Sequence, residues 1–149
     1  MYHHAICDLN RIALLELFKV RERFDFPDEQ VPFMEALQRV CFEESQRVAE
    51  LISTVLRHGV KYLADPILPS FAYNSSRIML YYIARILDLS RPESGVIISQ
   101  VLNLVESNVR ALREMSLMYP LAEPLVSTIL LIYEYINSII VHHHRKMVE

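Results

Sequence analysis

Apolar residues recur at helical spacing along almost the whole chain. In the first segment Ile6, Leu9, Ala13, Leu17 and Val20 follow one another at intervals of three and four, with Asp8, Arg11, Glu16, Lys19 and Arg23 opposite them. The run Phe24-Asp25-Phe26-Pro27-Asp28 breaks this pattern, because proline disfavours helix at the residue before it. A second helix is predicted from about Pro32, with Phe33, Leu37, Val40, Cys41, Val48, Leu51, Ile52 and Val55 as its apolar stripe. Glu35, Arg39, Glu43, Gln46, Arg47 and Glu50 form the solvated face, and Glu43 and Arg47 stand at a supportive i,i+4 spacing. Gly59 supplies the stop, since glycine tolerates the left-handed backbone that often follows a helix.

The stretch Ala64-Asp65-Pro66-Ile67-Leu68-Pro69 is proline-rich and reads as a non-helical linker. A third helix is predicted from about Ser70 to Leu89. Its apolar positions, Phe71, Ile78, Met79, Tyr82, Ile83, Ile86 and Leu89 with Ser75 among them, cover most of the circumference, which marks a central, buried helix. Ser90-Arg91-Pro92-Glu93 has the spacing of a capping box at the start of a fourth helix. That helix carries Ile97, Val101, Leu104, Val105, Leu112 and Met115 inward, sets Ser99, Asn103, Glu106, Arg110 and Arg113 outward, and ends at Tyr119-Pro120.

The segment from Leu125 to Val141 differs in kind. Its 17 residues are apolar apart from a few, chiefly Glu134 and Asn137. That is the short end of the ~17–25 residues that cross a bilayer, and a mid-span acid costs roughly 2.5–3.5 kcal/mol on insertion. A helix buried in the fold or covered by a partner is therefore expected ahead of a span, although its β-branched residues would also suit a strand. The pattern as a whole predicts an all-α fold, a bundle or partial bundle of four to five helices. It divides into a helical domain over 1–124 and an apolar helix with a basic, histidine-rich tail over 125–149.

Composition narrows the classes. The chain has 149 residues, 52% hydrophobic and 22% charged, which suits one globular domain and excludes a disordered one. A net charge of −3 without a basic arm gives no electrostatic case for direct nucleic-acid binding. The start MYHHAICDLNR lacks the basic-then-apolar order of a secretory signal. Cys7 and Cys41 form no CxxC motif or disulfide framework and read as small hydrophobes in helical patterns.

Candidate chemistry is sparse. Adjacent side chains on a helix point about 100° apart, so His142-His143-His144 cannot converge on one metal, and His3-His4 is discounted alike. Cys41 and His58 lie seventeen residues apart on one predicted helix, roughly 25 Å along its axis, too far for a nucleophile and its base. Ser75-Ser76 lacks the glycines of a nucleophile elbow. These absences argue against an enzyme, and no catalytic residue, cofactor or metal ligand is assigned. Tyr73, Arg77, Tyr81 and Arg85 are the candidate interface residues, because aromatics and arginine are enriched where proteins meet.

Three further features carry a resemblance. They are the Cys-x-x-x-Ser opening from Cys41 to Ser45, the run Tyr73-Asn74-Ser75-Ser76-Arg77-Ile78-Met79-Leu80-Tyr81, and the helix ending Arg113-Glu114-Met115-Ser116. Over about Cys41 to Leu125 the chain resembles the regulatory region of fungal zinc-cluster transcription factors, the middle homology or fungal-specific transcription factor domain. The resemblance implies a non-catalytic, all-helical regulatory fragment in the nucleus, with the cytoplasm as the other location, acting through a protein partner, self-association or a small effector. In that family DNA is read by a separate six-cysteine zinc cluster. Two distant cysteines cannot build one, so neither zinc nor DNA binding carries over. Leu125–Val141 departs from the resemblance, which leaves a small tail-anchored membrane protein or an unrelated helical scaffold as the alternatives.

Overall fold

A computed structural model of the chain describes residues 1–14 and 27–148, and the backbone alone for Arg11, Ile12 and 142–148. The expected positions Glu16, Leu17, Lys19, Val20 and Arg23 and the break at 24–26 lie outside the described residues. The described residues form five α-helices: α1 (Tyr2–Asn10), α2 (Val31–His58), α3 (Leu68–Arg85), α4 (Ser94–Ser116) and α5 (Glu123–Val148). The fold is an all-α bundle, with no strand among the described residues.

Cross-helix contacts fix the directions. Phe42 of α2 stacks on Tyr82 of α3 with ring centroids 3.9 Å apart. Asn108 of α4 reaches Ala72, Ser75 and Ser76 of α3, and the Tyr133 hydroxyl of α5 donates to Glu106 of α4 at 3.0 Å. The first two pairs join an early residue of one helix to a late residue of the next, and the short turn at 117–122 returns α5 along α4, so α2 to α5 run up, down, up and down. α1 lies antiparallel along α2, where His3 meets Glu44, Cys7 meets Cys41, and Gln38 donates to the Ala13 carbonyl. The expected division at 124/125 falls within the first turn of α5, whose buried residues join the main core.

Local chemistry moves three boundaries. Helix α3 starts at Leu68, ahead of the expected Ser70, because Pro69 occupies the first turn, where its missing N–H costs nothing. Asp65 shapes the approach: its carboxylate accepts the Ile67 N–H at 3.0 Å and its carbonyl the Leu68 N–H at 3.1 Å. At the other end α3 stops at Arg85, four residues short of Leu89, when Ile86 and Leu87 both donate to the Tyr82 carbonyl. The expected capping box does not form. Ser90 gives its N–H and hydroxyl to the Asp88 carboxylate, α4 begins at Ser94, and Glu93 makes no side-chain cap. An aspartate two residues upstream competes for the serine as an Asx turn.

The core follows from helical phase. In α2 the inward face is Met34, Cys41, Phe42, Ser45, Val48, Ala49 and Ile52, so Phe33, Val40 and Leu51 of the expected stripe are left exposed. Gly59 ends the helix at φ 128°, where a side chain would be strained. Helix α3 is central, with Met79, Leu80 and Ile83 essentially inaccessible. Burying each such side chain contributes ~1.5–3 kcal/mol. The outward set expected on α4, from Ser99 to Arg113, is exposed throughout.

Candidate functional site

The candidate interface residues share one side of α3. Arg77 lies over the Tyr73 ring at 5.1 Å from its centroid, and both are partly buried. Tyr81 packs with Ile86 against the small cluster of Cys7, Leu14, Cys41 and Ile78. Exposed Arg85 joins Tyr81, Tyr82, Arg39, Glu35 and Arg91 along an open groove between α2 and the end of α3. Tyr73 and Arg77 therefore sit apart from the groove that holds Tyr81 and Arg85.

A polar node in the core escaped the sequence reading. The Asn108 amide nitrogen lies within 3.0–3.2 Å of the Ala72 carbonyl and the hydroxyls of Ser75 and Ser76, and all these groups are buried. Both serine hydroxyls donate to the Ala72 carbonyl, so they offer lone pairs to the amide. The signal was present: residue 108 stands between Val105 and Leu112 on the inward stripe of α4, where a polar residue needs a buried partner. Ser75 is thus a packing and hydrogen-bonding group between α3 and α4.

Helix α1 covers one end of a mostly apolar cleft of about 200 Å³. Met1, His3 and His4 form one wall, Val48, Leu51, Ile52 and Val55 of α2 the floor, and Leu63, Asp65, Ile67, Leu68 and Phe71 the far side. The size is below the ~300–1,000 Å³ of drug-sized sites. His3 bonds through Nδ1 to the buried Glu44 carboxylate, whose other oxygen takes Arg47 at 2.7 Å. His4 lies over Phe71 with ring centroids 3.9 Å apart and has Asp8 at 3.5 Å. Paired on both sides, the Glu44 charge is satisfied where it is buried. Behind this wall Cys7 and Cys41 face each other. Each thiol donates to the other's backbone carbonyl at 3.6 Å, and the neighbouring Cys41 side chain, with burial second, pushes the Cys7 thiol far above its ordinary value. No three of His, Cys, Asp and Glu come together as a metal site among the described residues.

An exposed apolar surface lies on α5 and the turn that leads into it. Pro120–Val141 forms 22 residues of mean hydropathy 1.6, of whose most apolar stretch 17% is buried. Its inner face, Ala122, Val126, Ile129 and Ile136, closes the core against α3 and α4. Outward, Leu117 is 82% exposed, Leu121 86%, Leu131 68% and Tyr135 64%. Val60, Tyr62, Ile67 and Met118 are also exposed, and the Tyr119 hydroxyl donates to the Ala64 carbonyl at 2.7 Å, which ties the segment before α3 to the turn before α5. The triplet His142–His144 continues α5, with its side chains outside the described residues.

No protein-family model, curated protein or solved structure matches the chain. The nuclear or cytoplasmic location expected from the resemblance is corrected by α5. An apolar helix of this length, exposed along one side, fits association with a membrane.

Proposed function

We propose that the chain is a non-catalytic helical scaffold that lies against a membrane, held there by the outer side of α5 and the turn at 117–121. The single observation behind this reading is the run of exposed apolar side chains, Leu117 and Leu121 in the turn before α5 and Leu131 and Tyr135 on its outer side, where Ser127, Glu134 and Ser138 flank them. A helix of this kind rests in the interface plane with its apolar side among the acyl chains.

Lying on the membrane is favoured over spanning it. A span would withdraw Val126, Ile129 and Ile136 from the core, each worth ~1.5–3 kcal/mol of burial. It would also place Glu134 at bilayer depth. Exposed Arg57, Lys61 and Arg113 near the apolar end are offset by Asp65, Glu114 and Glu123, so attraction to the membrane comes from apolar contact. A scaffold role is further supported by the separation of the reactive groups: Cys41 is buried beside Cys7, while His58 ends α2 exposed.

Flotation of the purified full-length chain with phosphatidylcholine vesicles tests the reading. The chain should rise with the vesicles, with little change between low and high salt. A chain that stays in the dense fraction as a monomer overturns the proposal. So does one that stays there as a dimer, which would assign the stripe to a second copy.

A further inference from the structure

The two cysteines stand 34 positions apart in the sequence, yet the fold brings them together. The Cys7 sulfur lies 3.6 Å from the Cys41 carbonyl oxygen, and the Cys41 sulfur 3.6 Å from the Cys7 carbonyl oxygen. The reciprocal contact places both sulfurs in the seam between antiparallel helices α1 and α2, sealed by Leu14, Ile78, Tyr81 and Ile86. Small hydrophobes could fill this seam as well as thiols. Two thiols that exhaust the cysteine content of the chain, each packed against the other's backbone across one helix contact, stand within reach of a bond instead.

The geometry points to a covalent modification site: Cys7 and Cys41 close to an intramolecular disulfide that fastens α1 to the bundle and fixes the His3 and His4 wall of the apolar cleft. The oxidant class is a small-molecule disulfide. One cysteine thiolate attacks a sulfur of that disulfide, breaking its S–S bond, forming a mixed disulfide and releasing one small thiol. The second cysteine thiolate then attacks the protein sulfur of the mixed disulfide, forming the Cys7–Cys41 bond and releasing the second small thiol. Two protein protons are lost, the cysteines are oxidised by two electrons, and the small disulfide is reduced by two.

Burial sets the rate. Both sulfurs are sealed while α1 is docked, and a buried thiol carries little thiolate. Exchange therefore proceeds through lifting of α1, which the His3–Glu44 bond, the His4–Phe71 contact and the Gln38 bond to Ala13 oppose. The bond forms slowly and, once made, holds the helix in the place it already occupies. The reduced chain opens the cleft wall by fraying α1, and the oxidised chain does not.

Equilibrating the purified full-length chain with reduced and oxidised glutathione, followed by alkylation in denaturant and mass spectrometry, tests the site. The expected product is a monomer lighter by two hydrogen atoms, with no alkylated cysteine and a Cys7–Cys41 cross-linked peptide. Closing a loop of this length should raise the melting temperature by roughly 10 °C. Amide exchange in α1 should slow at the same time, and His3→Ala should speed formation of the bond severalfold by loosening α1. Cys7→Ala, which fits the seam, should melt at one temperature in both buffers. Thiols that stay free, separate glutathione adducts on each cysteine, or disulfide-linked dimers overturn the site. A disulfide that leaves α1 exchange unchanged overturns its role as a fastening of the cleft wall.

Discussion

Helices α3 and α5 are the most apolar of the long helices, yet one is the centre of the molecule and the other is half bare. Helix α3 is flanked by α2, α4 and α5, so Phe71, Ile78, Met79, Leu80 and Ile83 all find neighbours whichever way they point. Helix α5 packs on α3 and α4 through one side only, and Leu131 and Tyr135 on the other side meet none of them. Hydropathy sets how strongly a helix seeks cover, while its place in the bundle sets how much cover it receives. The residual apolar surface of α5 is what an outside surface can use.

The sharpest way to break the comparison is to empty both helices on their covered sides. Met79→Ala in α3 and Ile129→Ala in α5 should each destabilise the chain by ~2–5 kcal/mol in urea unfolding, because both side chains are fully buried. Leu131→Ala on the bare side of α5 should stay within ~0.5 kcal/mol of the parent. Equal losses at 129 and 131 would mean that the outer side of α5 is covered too.

Second in size is the polar node that holds α3 to α4. Asn108→Ala should cost ~1–3 kcal/mol in the same titration, since the two amide hydrogens shared among three buried oxygens are lost together. A neutral result would make the α3–α4 contact purely apolar and remove the polar distinction between the two helices.

Third, Leu131→Ser combined with Tyr135→Ser should weaken vesicle binding about tenfold or more while leaving the melting temperature nearly unchanged. The estimate takes ~1.4 kcal/mol per decade and ~1.5–3 kcal/mol for a buried apolar side chain. Retained flotation would move the membrane contact to another surface.

The smallest effect concerns the turn that closes the end of α3. The Ser90 hydroxyl and backbone N–H hold the Asp88 carboxyl below its ordinary 3.8, with Arg91 adding to the effect. A carboxyl depressed in the folded state stabilises the fold above its unfolded pKa, and that contribution fades as pH falls through the lower folded value. The melting-temperature difference between the parent and Asp88→Asn should therefore shrink as the pH is lowered through the acid range below 3.8. A difference that stays constant would assign the turn to hydrogen bonding without charge.

Much of the fold was legible because helical period is a local property. Val101, Val105, Leu112 and Met115 point inward as their spacing requires, and Gly59 stops α2 where a positive φ is needed. The errors arose where two local signals competed. Ser90 could cap α4 or close a turn on Asp88, and the aspartate prevailed. Pro69 could break a helix or open one, and it opened α3. The candidate site was less legible. The α3 tyrosines and arginines were visible as a stripe, but only the packing divides Tyr73 and Arg77 from the groove of Tyr81 and Arg85.

By itself the sequence determined an all-helical chain, the inward stripes of its helices and the unusual apolarity of residues 125–141, since all three follow from residue type and a period of 3.6. Three things only the tertiary structure decided: that Cys7 meets Cys41, that Asn108 finds three oxygens on α3, and that α5 leaves Leu131 and Tyr135 uncovered. Each depends on which helices become neighbours and how they are rotated. That is a property of the whole bundle, to which no single segment holds the information.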